Sequence, residues 1–234
     1  MPFNERHHAF ISATFYRLLK EQNYPNYQNV FKSATQKMAE QRGARMAQRA
    51  LRDGVEILDY AVYRHYGEWD WTCDFLDSIQ GQKLLEEIDD EVDYGYIVYQ
   101  CPWADVYHEL GLASDGGETY CYDLDPSIVR GFNPALEYKT TQTLQTSDTC
   151  IQYQRKGNIN SNSLNLGSRK LSNIKDFEYH CGHVFKTYSD FMIAIYQYKG
   201  VILNTGVLET FCEKFGQEMA DKLVSYLKTD FNLI

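Results

Sequence analysis

A cysteine followed directly by proline stands in the segment Cys101-Pro-Trp-Ala-Asp105. The residues before it are rich in β-branched and aromatic types, which is typical of a strand, and proline is favoured at the first position of a helix. Cys101 is therefore expected at a helix N-terminus, where the partial positive charge and free backbone amides stabilise a thiolate or an oxyanion. The alternative is a cysteine that simply packs the end of a strand.

Three further polar sets lie at predicted strand or helix ends. They are Tyr120-Cys-Tyr-Asp123 with Asp125, Cys150, and Tyr179-His-Cys-Gly-His183. His180 and His183 are three residues apart and share one helix face, so either could act as a general acid or base, with Asp123 orienting its ring. The alternative is one histidine in the core and one on the surface.

Cysteines and histidines together are also the ligands that zinc prefers. His180 and His183 could bind a metal with Cys101, Cys121 or Cys150. The sequence contains no CxxC pair and no HExxH motif, so we assign no metal ligand and expect no cofactor. Zinc or another divalent metal stays open as a variant of the site.

A row of arginines follows one ridge of a predicted helix, at Arg45, Arg49 and Arg52. Such rows usually form a solvated face, which is what we expect here, although a single arginine could bind a substrate carboxylate with its planar fork. The three tryptophans, Trp69, Trp71 and Trp103, are expected in the core rather than on a stacking surface.

The charge balance bears on partners and location. The chain of 234 residues has 23 Lys+Arg and 32 Asp+Glu, hence a net charge of −9 with histidine neutral, which argues against nucleic acid. The apolar run Phe191–Tyr196 is far shorter than the roughly 20 residues that a membrane helix needs. The N-terminus lacks the pattern of a secretory signal, and the six cysteines are widely spread. We expect a cytoplasmic protein without disulfides, membrane or nucleic-acid partners.

Periodicity predicts the elements that carry these residues. Helices are predicted over Phe3–Lys20, Tyr27–Tyr66, Trp103–Leu110, Asp176–Tyr198 and about Leu203–Leu227, and Tyr120–Val129 is expected to be a short helix or a turn. Gly43 and Gly54 are the expected sites of a kink in the second of these helices. The segments typical of strands are Trp69–Phe75, Val92–Cys101, Leu136–Leu144 and Thr149–Gln154, with a hairpin turn at Ser147-Asp148. Asp77–Asp90 is a polar segment, and Lys156–Ser172 is expected to be an exposed loop.

This order of helices, strands and helices predicts an α+β protein, because βαβ alternation is not sustained. We expect an antiparallel sheet from about Trp69 to Gln154, flanked by N-terminal and C-terminal helices. Residues 1–66 form the predicted helical region and residues 67–234 the predicted catalytic region, within one compact unit.

A series of short segments in a fixed order resembles the L-2-amino-thiazoline-4-carboxylic acid hydrolase family. The resemblance covers about Arg42 to Tyr153 and, more faintly, the helix at His180. The segments are Ala50-Leu-Arg-Asp-Gly54, Gly67-Glu-Trp-Asp-Trp71, Cys101-Pro-Trp-Ala-Asp105, Glu109-Leu-Gly111, Tyr120-Cys121, Asp123, Gly131-Phe-Asn-Pro134, Thr143-Leu144 and Cys150. Among these, Cys101, Glu109, Cys121, Asp123 and Cys150 match the polar pattern of the family.

The resemblance implies a hydrolase that opens a cyclic C=N bond in a small sulfur heterocycle and gives an N-carbamoyl cysteine type of product. We expect Cys101, Asp123, His180 and His183 to be catalytic: Cys101 or an activated water would attack, and a histidine or Asp123 would protonate the departing ring nitrogen. The residues expected to bind substrate are Trp103, Glu109, Tyr120, Cys121, Asn133 and Cys150. The alternative is a non-catalytic module that binds a small molecule in the same cysteine-lined pocket. The partner is a small heterocyclic molecule, and a homo-oligomer is left open.

Overall fold

The computed structural model describes residues 2–89, 93–155 and 169–234. The helices are α1 (Glu5–Glu21), α2 (Tyr27–Arg52), α3 (Tyr60–His65), α4 (Cys73–Ser78), α5 (Pro102–Glu109), α6 (Glu118–Phe132), α7 (Phe177–Tyr196), α8 (Tyr198–Phe215) and α9 (Gln217–Ser225). The strands are β1 (Leu85–Asp89), β2 (Asp93–Val98), β3 (Tyr138–Gln142) and β4 (Cys150–Arg155). Pro102 is the first residue of α5, so Cys101 directly precedes a helix, as predicted.

The strands form one antiparallel sheet in the order β1-β2-β4-β3. β2 pairs with β4 from Asp93 opposite Arg155 to Val98 opposite Cys150. β3 and β4 are also antiparallel neighbours, as the hairpin signal predicts. With helices before and after the strands in the chain, the α+β class is confirmed.

Strand β1 lies inside the segment Asp77–Asp90, where no strand was predicted. Its side chains are mostly exposed and it pairs on one edge with β2. An exposed edge strand needs no alternation of apolar residues, so its sequence carries little signal.

The predicted strand Trp69–Phe75 is wrong. Residues 67–72 have no regular structure, and α4 begins at Cys73. The Thr72 side chain accepts a hydrogen bond from the Phe75 amide at 3.3 Å and so caps the helix. This local cap outweighs the alternation of aromatic and polar residues, and the sheet begins only at Leu85.

Glycines divide two of the predicted helices. Gly216 has a φ of 92°, a left-handed value that ends α8 and separates it from α9. The single helix predicted over Leu203–Leu227 is therefore wrong. The predicted helix Tyr27–Tyr66 is likewise two helices, α2 and α3, with Gly54 between them. Of the predicted loop Lys156–Ser172, residues 156–168 lie outside the described ranges, and a 3₁₀ turn follows at Leu171–Asn173.

The backbone divides into two compact units that interleave along the chain. Unit one contains Met1–Met38, Pro102–Tyr120 and Asp176–Thr229. Unit two contains Ala39–Cys101, Cys121–Lys175 and Asp230–Ile234, and hence the whole sheet.

Unit one is helical, and α1 packs against α5, α7 and α8. The N-cap of α1 is Asn4, whose side chain accepts from the backbone amide of Arg6 at 3.1 Å. Its core is aromatic: Phe15 lies edge-on to Tyr188 at 5.3 Å between ring centroids, and the Tyr188 and Thr35 hydroxyls are hydrogen-bonded at 2.6 Å. These two buried hydroxyls therefore satisfy each other.

Unit two has a core of apolar side chains where α2 and α6 meet. Met46 from α2, Val62 from α3 and Ile128 from α6 belong to it. The α2 and α6 backbones approach closely at Gly43, where a Cβ atom would overlap the Ile128 carbonyl oxygen. This close approach brings one face of α2 beside one face of α6.

No helix in the described part of the chain is long and apolar enough to cross a membrane.

Candidate active site

A cavity of about 380 Å³ lies within unit two. One wall is a face of the sheet, a second is formed by α2, α3 and α6, and a third by the irregular segment around Trp69 and Trp71. A cavity of this size can enclose a small ligand.

The strand register places the polar side chains of the sheet wall on one face. Glu87 pairs with Tyr96, Tyr96 pairs with Gln152, and Val98 pairs with Cys150. Because alternate residues of a strand point to the same side, these side chains share the face that carries the cavity. A shift of register by one residue would turn all of them away.

The centre of the site is a chain of hydrogen bonds from β3 to α6. The Tyr138 hydroxyl donates to Oε1 of Gln152 at 2.5 Å, and Nε2 of Gln152 donates to Oδ2 of Asp125 at 2.7 Å. All three residues line the cavity. Burial raises the pKa of Asp125, while the hydrogen bond from Gln152 and the charge of Arg42 oppose that shift. Asp125 can therefore hold a proton or release it to a bound ligand.

Two thiols, Cys121 and Cys150, lie near this carboxyl group, and Cys101 lies near both of them. Burial raises the pKa of Cys121, and negative charge on Cys101, Cys150 or Asp125 raises it further. Burial and the charges of Asp125 and Cys101 also raise the pKa of Cys150 to about 12. Ionisation of Cys101 thus disfavours ionisation of the other two thiols, and Cys121 and Cys150 stay protonated at neutral pH.

Each of these two thiols also accepts a hydrogen bond from a glutamine. Nε2 of Gln145 donates to Sγ of Cys121 at 3.3 Å, and Nε2 of Gln152 contacts Sγ of Cys150 at 3.7 Å. Gln145 is only 2% exposed, and its Oε1 has no hydrogen-bond partner among the described residues. The surroundings of the two thiols are therefore polar, and one buried oxygen there lacks a hydrogen-bond donor among the described residues.

Beside the cavity, three arginines of α2 surround one buried carboxylate. Nη1 of Arg49 lies 2.7 Å from Glu68 Oε2, Nη2 of Arg45 forms a short ion pair with Oε1, and Arg42 Nε lies 3.9 Å from Oε1. Burial alone would raise the pKa of Glu68, but the guanidiniums of Arg45, Arg42 and Arg49 outweigh it and lower that pKa. The carboxylate is thus ionised and holds the cluster together.

This cluster corrects the expectation of a solvated arginine face. Arg45 is fully buried and Arg49 nearly so, whereas Arg52 is exposed. The reason is Glu68, which lies far along the sequence and neutralises charge that helix periodicity alone assigns to solvent. Trp69 and Trp71 are likewise not core residues: both are half-buried, line the cavity and meet edge to face at 4.8 Å.

Five of the predicted site residues belong to unit two: Cys101, Cys121, Asp123, Asn133 and Cys150. The three cysteines interact electrostatically with one another, as described above. Asn133 has a structural role, because its Nδ2 donates to the Leu58 carbonyl at 2.8 Å and its Oδ1 accepts from the Ala135 amide at 3.0 Å. Asp123 is half-buried, and it is Asp125, not Asp123, that lines the cavity.

The other predicted site residues belong to unit one: Trp103, Glu109, Tyr120, His180 and His183. Nε1 of Trp103 donates to Nδ1 of the buried His8 at 3.0 Å, and the Tyr120 hydroxyl lies 3.4 Å from the same atom. Glu109 is exposed and paired with Arg6. His180 and His183 are fully buried in α7. That His180 or His183 lines the same pocket as Cys101 stays a prediction.

No group of three histidine, cysteine or acidic residues within the described ranges is placed to hold a metal ion.

Sequence reasoning placed Asp125 in a polar set with Asp123 but gave it no role, and it passed over Gln152, Tyr138 and Arg42. Part of the signal was present, because Cys121 and Asp125 are four residues apart on one face of α6, and Cys150 and Gln152 alternate on β4. The approach of Arg42 to this face depends on the crossing of α2 and α6, which no local sequence pattern indicates.

The cavity thus combines a carboxyl group and a guanidinium in its lining, and its size is that of a small-molecule site. A family model described as L-2-amino-thiazoline-4-carboxylic acid hydrolase matches residues 3–152, more than half of the chain. The chain belongs to this family, as its sequence motifs predict, and the name of the family implies a hydrolase. Comparison with curated proteins and with solved structures gives no match.

Proposed function

We propose that the protein hydrolyses the ring of 2-amino-thiazoline-4-carboxylic acid, or of a close cyclic amidine, in the cavity of unit two. Family membership supports the substrate class. The observation that carries the proposal is the placement of Asp125, hydrogen-bonded through Gln152, and Arg42 around one cavity.

The charges of the cavity complement those of the ligand. A protonated 2-amino-thiazoline carries an amidinium, which a carboxylate can bind through two N–H donors, and the ring also bears a carboxylate. Asp125 lines the cavity, with Oδ2 engaged by Gln152 and no described hydrogen bond to Oδ1. Oδ1 is thus the atom that exchanges a proton with the amidine nitrogen.

The proposed reaction adds one water across the ring. In the net reaction the water oxygen becomes bonded to the carbon between nitrogen and sulfur. When the nucleophile attacks that carbon, a proton goes to the ring nitrogen from Asp125, which the raised pKa of this group favours. The tetrahedral carbon then releases the ring sulfur, which takes up the proton lost by the nucleophile and leaves as a thiol. An N-carbamoyl product requires cleavage of the C–S bond. The ring nitrogen is therefore protonated but stays bonded to the carbon. This proposal differs from the expectation from sequence, in which the ring nitrogen departs.

We propose Cys101 as the first nucleophile, since it directly precedes α5 and the other two thiols of the cluster stay protonated. Its sulfur bonds to the ring carbon, the ring C–S bond breaks, and an open amidine remains on the protein. Water then attacks that carbon and displaces the Cys101 sulfur. The carbon becomes the urea carbonyl of the product.

The test is incubation of the purified protein with 2-amino-thiazoline-4-carboxylic acid in water enriched in ¹⁸O. The expected product has the mass of the substrate plus one labelled water, with a free thiol that reacts with a disulfide reagent. Intact-protein mass spectrometry of a quenched reaction should show an adduct of the full substrate mass. A product without a free thiol would contradict C–S cleavage, and tight binding without any product would favour the non-catalytic module.

A further inference from the structure

The buried arginines of α2 do not share Glu68 equally. Arg45 and Arg49 contact its two oxygens at hydrogen-bonding distance, whereas Arg42 Nε stays 3.9 Å from Oε1. Arg45 is also fixed from the other side, because its Nη1 donates to the Phe231 carbonyl at 2.6 Å. Of the three, it is Arg42 that lines the cavity.

Burial makes Arg42 an effective site for an anion. Its side chain is 6% exposed, and a guanidinium stays charged at any physiological pH. A charge with little access to water interacts strongly with a nearby ion, because water screens it only weakly. Arg42 also lies close enough to Asp125 to oppose the rise of its pKa, which places cation and carboxyl group at the same cavity.

Two other arginines line the cavity, and both are more exposed to solvent than Arg42. Arg169 Nη1 lies 3.2 Å from Asp70 Oδ1 and also donates to the Trp69 carbonyl. Arg64 is exposed and lies over the Tyr94 ring at 5.7 Å. Exposed guanidiniums contribute little to binding, because water and salt screen them.

We infer that Arg42 binds the carboxylate of the substrate and thereby selects rings that carry one. This assignment rests on the proposed function, since it concerns the same cavity and the same substrate class. Glu68, Arg45 and Arg49 act on it indirectly, because they hold α2 and the segment before Trp69 in place. The substrate then lies with its carboxylate at α2 and its amidine at Asp125.

The test compares two ligands that cannot undergo the reaction, since they lack the C=N bond: thiazolidine-4-carboxylic acid and thiazolidine. Calorimetry gives the dissociation constant of each for the wild type, Arg42→Gln and Arg42→Lys. Arg130→Gln is the matched control, because Arg130 lies on α6 in an exposed ion pair with Glu40. Thermal unfolding and the ligand without the carboxylate verify that each variant keeps its fold and its cavity.

The wild type and Arg130→Gln should prefer the carboxylated ligand by about 10- to 100-fold, the value of one charged hydrogen-bonded contact. Arg42→Gln should abolish that preference, and Arg42→Lys, which keeps the charge but not the planar fork, should keep only part of it. A wild type without preference, or a folded Arg42→Gln variant that retains it, would overturn the assignment.

Turnover of 2-amino-thiazoline-4-carboxylic acid, measured in parallel, separates this assignment from the proposed function. Turnover together with an unchanged preference in Arg42→Gln would refute the role of Arg42 and leave the hydrolase. A preference that depends on Arg42 without turnover would support the carboxylate site and refute the hydrolase.

Discussion

The side-chain amide of Gln152 on β4 donates to the carboxyl group of Asp125 on α6 over 2.7 Å. Its carbonyl end accepts from Tyr138 on β3 at 2.5 Å, so the orientation of the amide is set from both sides. The bond connects the sheet wall of the cavity to its helical wall. We therefore propose Asp125 for the role of acid, which sequence reasoning gave to Asp123 or a histidine.

The two aspartates of α6 are distinguished by substitution. Asp125→Asn keeps the hydrogen bond from Gln152 but cannot transfer a proton, so we expect kcat to fall by about 100-fold or more. Asp123→Asn changes a residue that does not line the cavity, and we expect kcat within about threefold of the wild type. Steady-state kinetics of both variants test this prediction. A larger loss of kcat in Asp123→Asn than in Asp125→Asn would indicate Asp123 as the acid.

Asp125→Asn should also change how the stability of the protein depends on pH. Because burial raises the pKa of Asp125 above its ordinary value of 3.8, the native state keeps a proton that the unfolded chain has lost. Its contribution to stability is therefore lost as pH rises from that value through the folded pKa. Asp125→Asn should match the wild type at low pH and exceed it in the free energy of unfolding near neutrality. Urea titrations at several pH values measure this difference, and a constant difference would refute it.

The three thiols of unit two should differ in function. We expect Cys101→Ser to lose at least about 100-fold in turnover, while Cys121→Ser and Cys150→Ser lose far less. Chelators should leave the activity unchanged. Equal losses in all three variants together with inhibition by chelators would instead indicate a metal bound by the thiols. A Cys101→Ser variant that is active without metal would leave attack by water, with Asp125 as the base.

The chain end should stabilise the buried arginine cluster. Phe231 is 2% exposed, its ring lies 5.7 Å from the Arg45 guanidinium, and its carbonyl accepts from Arg45. We expect Phe231→Ala to lower the free energy of unfolding by about 3–5 kcal/mol. Leu233→Ala, at a position that is 63% exposed, is the control and should change it by less than about 0.5 kcal/mol. Equal effects in denaturant unfolding would show that Phe231 does not anchor the cluster.

The crossing of α2 and α6 should tolerate no added methyl group. A Cβ at Gly43 meets the backbone of α6, and one at Gly131 meets the backbone of α2 at Glu40. Either alanine substitution should therefore cost about 1–3 kcal/mol of stability, and it should weaken activity because Arg42 and Asp125 move apart. The double variant should cost less than the sum, since the first methyl group already separates the helices. Strict additivity in unfolding experiments would argue against a shared contact.

Much of this protein can be derived from its sequence. The strand before Cys101 and the helix that starts at Pro102 follow from local propensity and proline geometry, because both depend on neighbouring residues only. The hairpin of β3 and β4 follows from alternation and a turn signal. The family motifs, which are local as well, predict the family that the comparison confirms.

Only the tertiary structure decided which polar residues share a cavity. The arginines of α2 look like a solvated row until Glu68, 23 residues beyond Arg45, pairs with them in the interior. Asp125 is distinguished from Asp123 by the strand register that brings Gln152 beneath α6, and by the glycine crossing that brings α2 alongside. Both are long-range contacts, whose energy depends on burial and charge pairing rather than on local propensity.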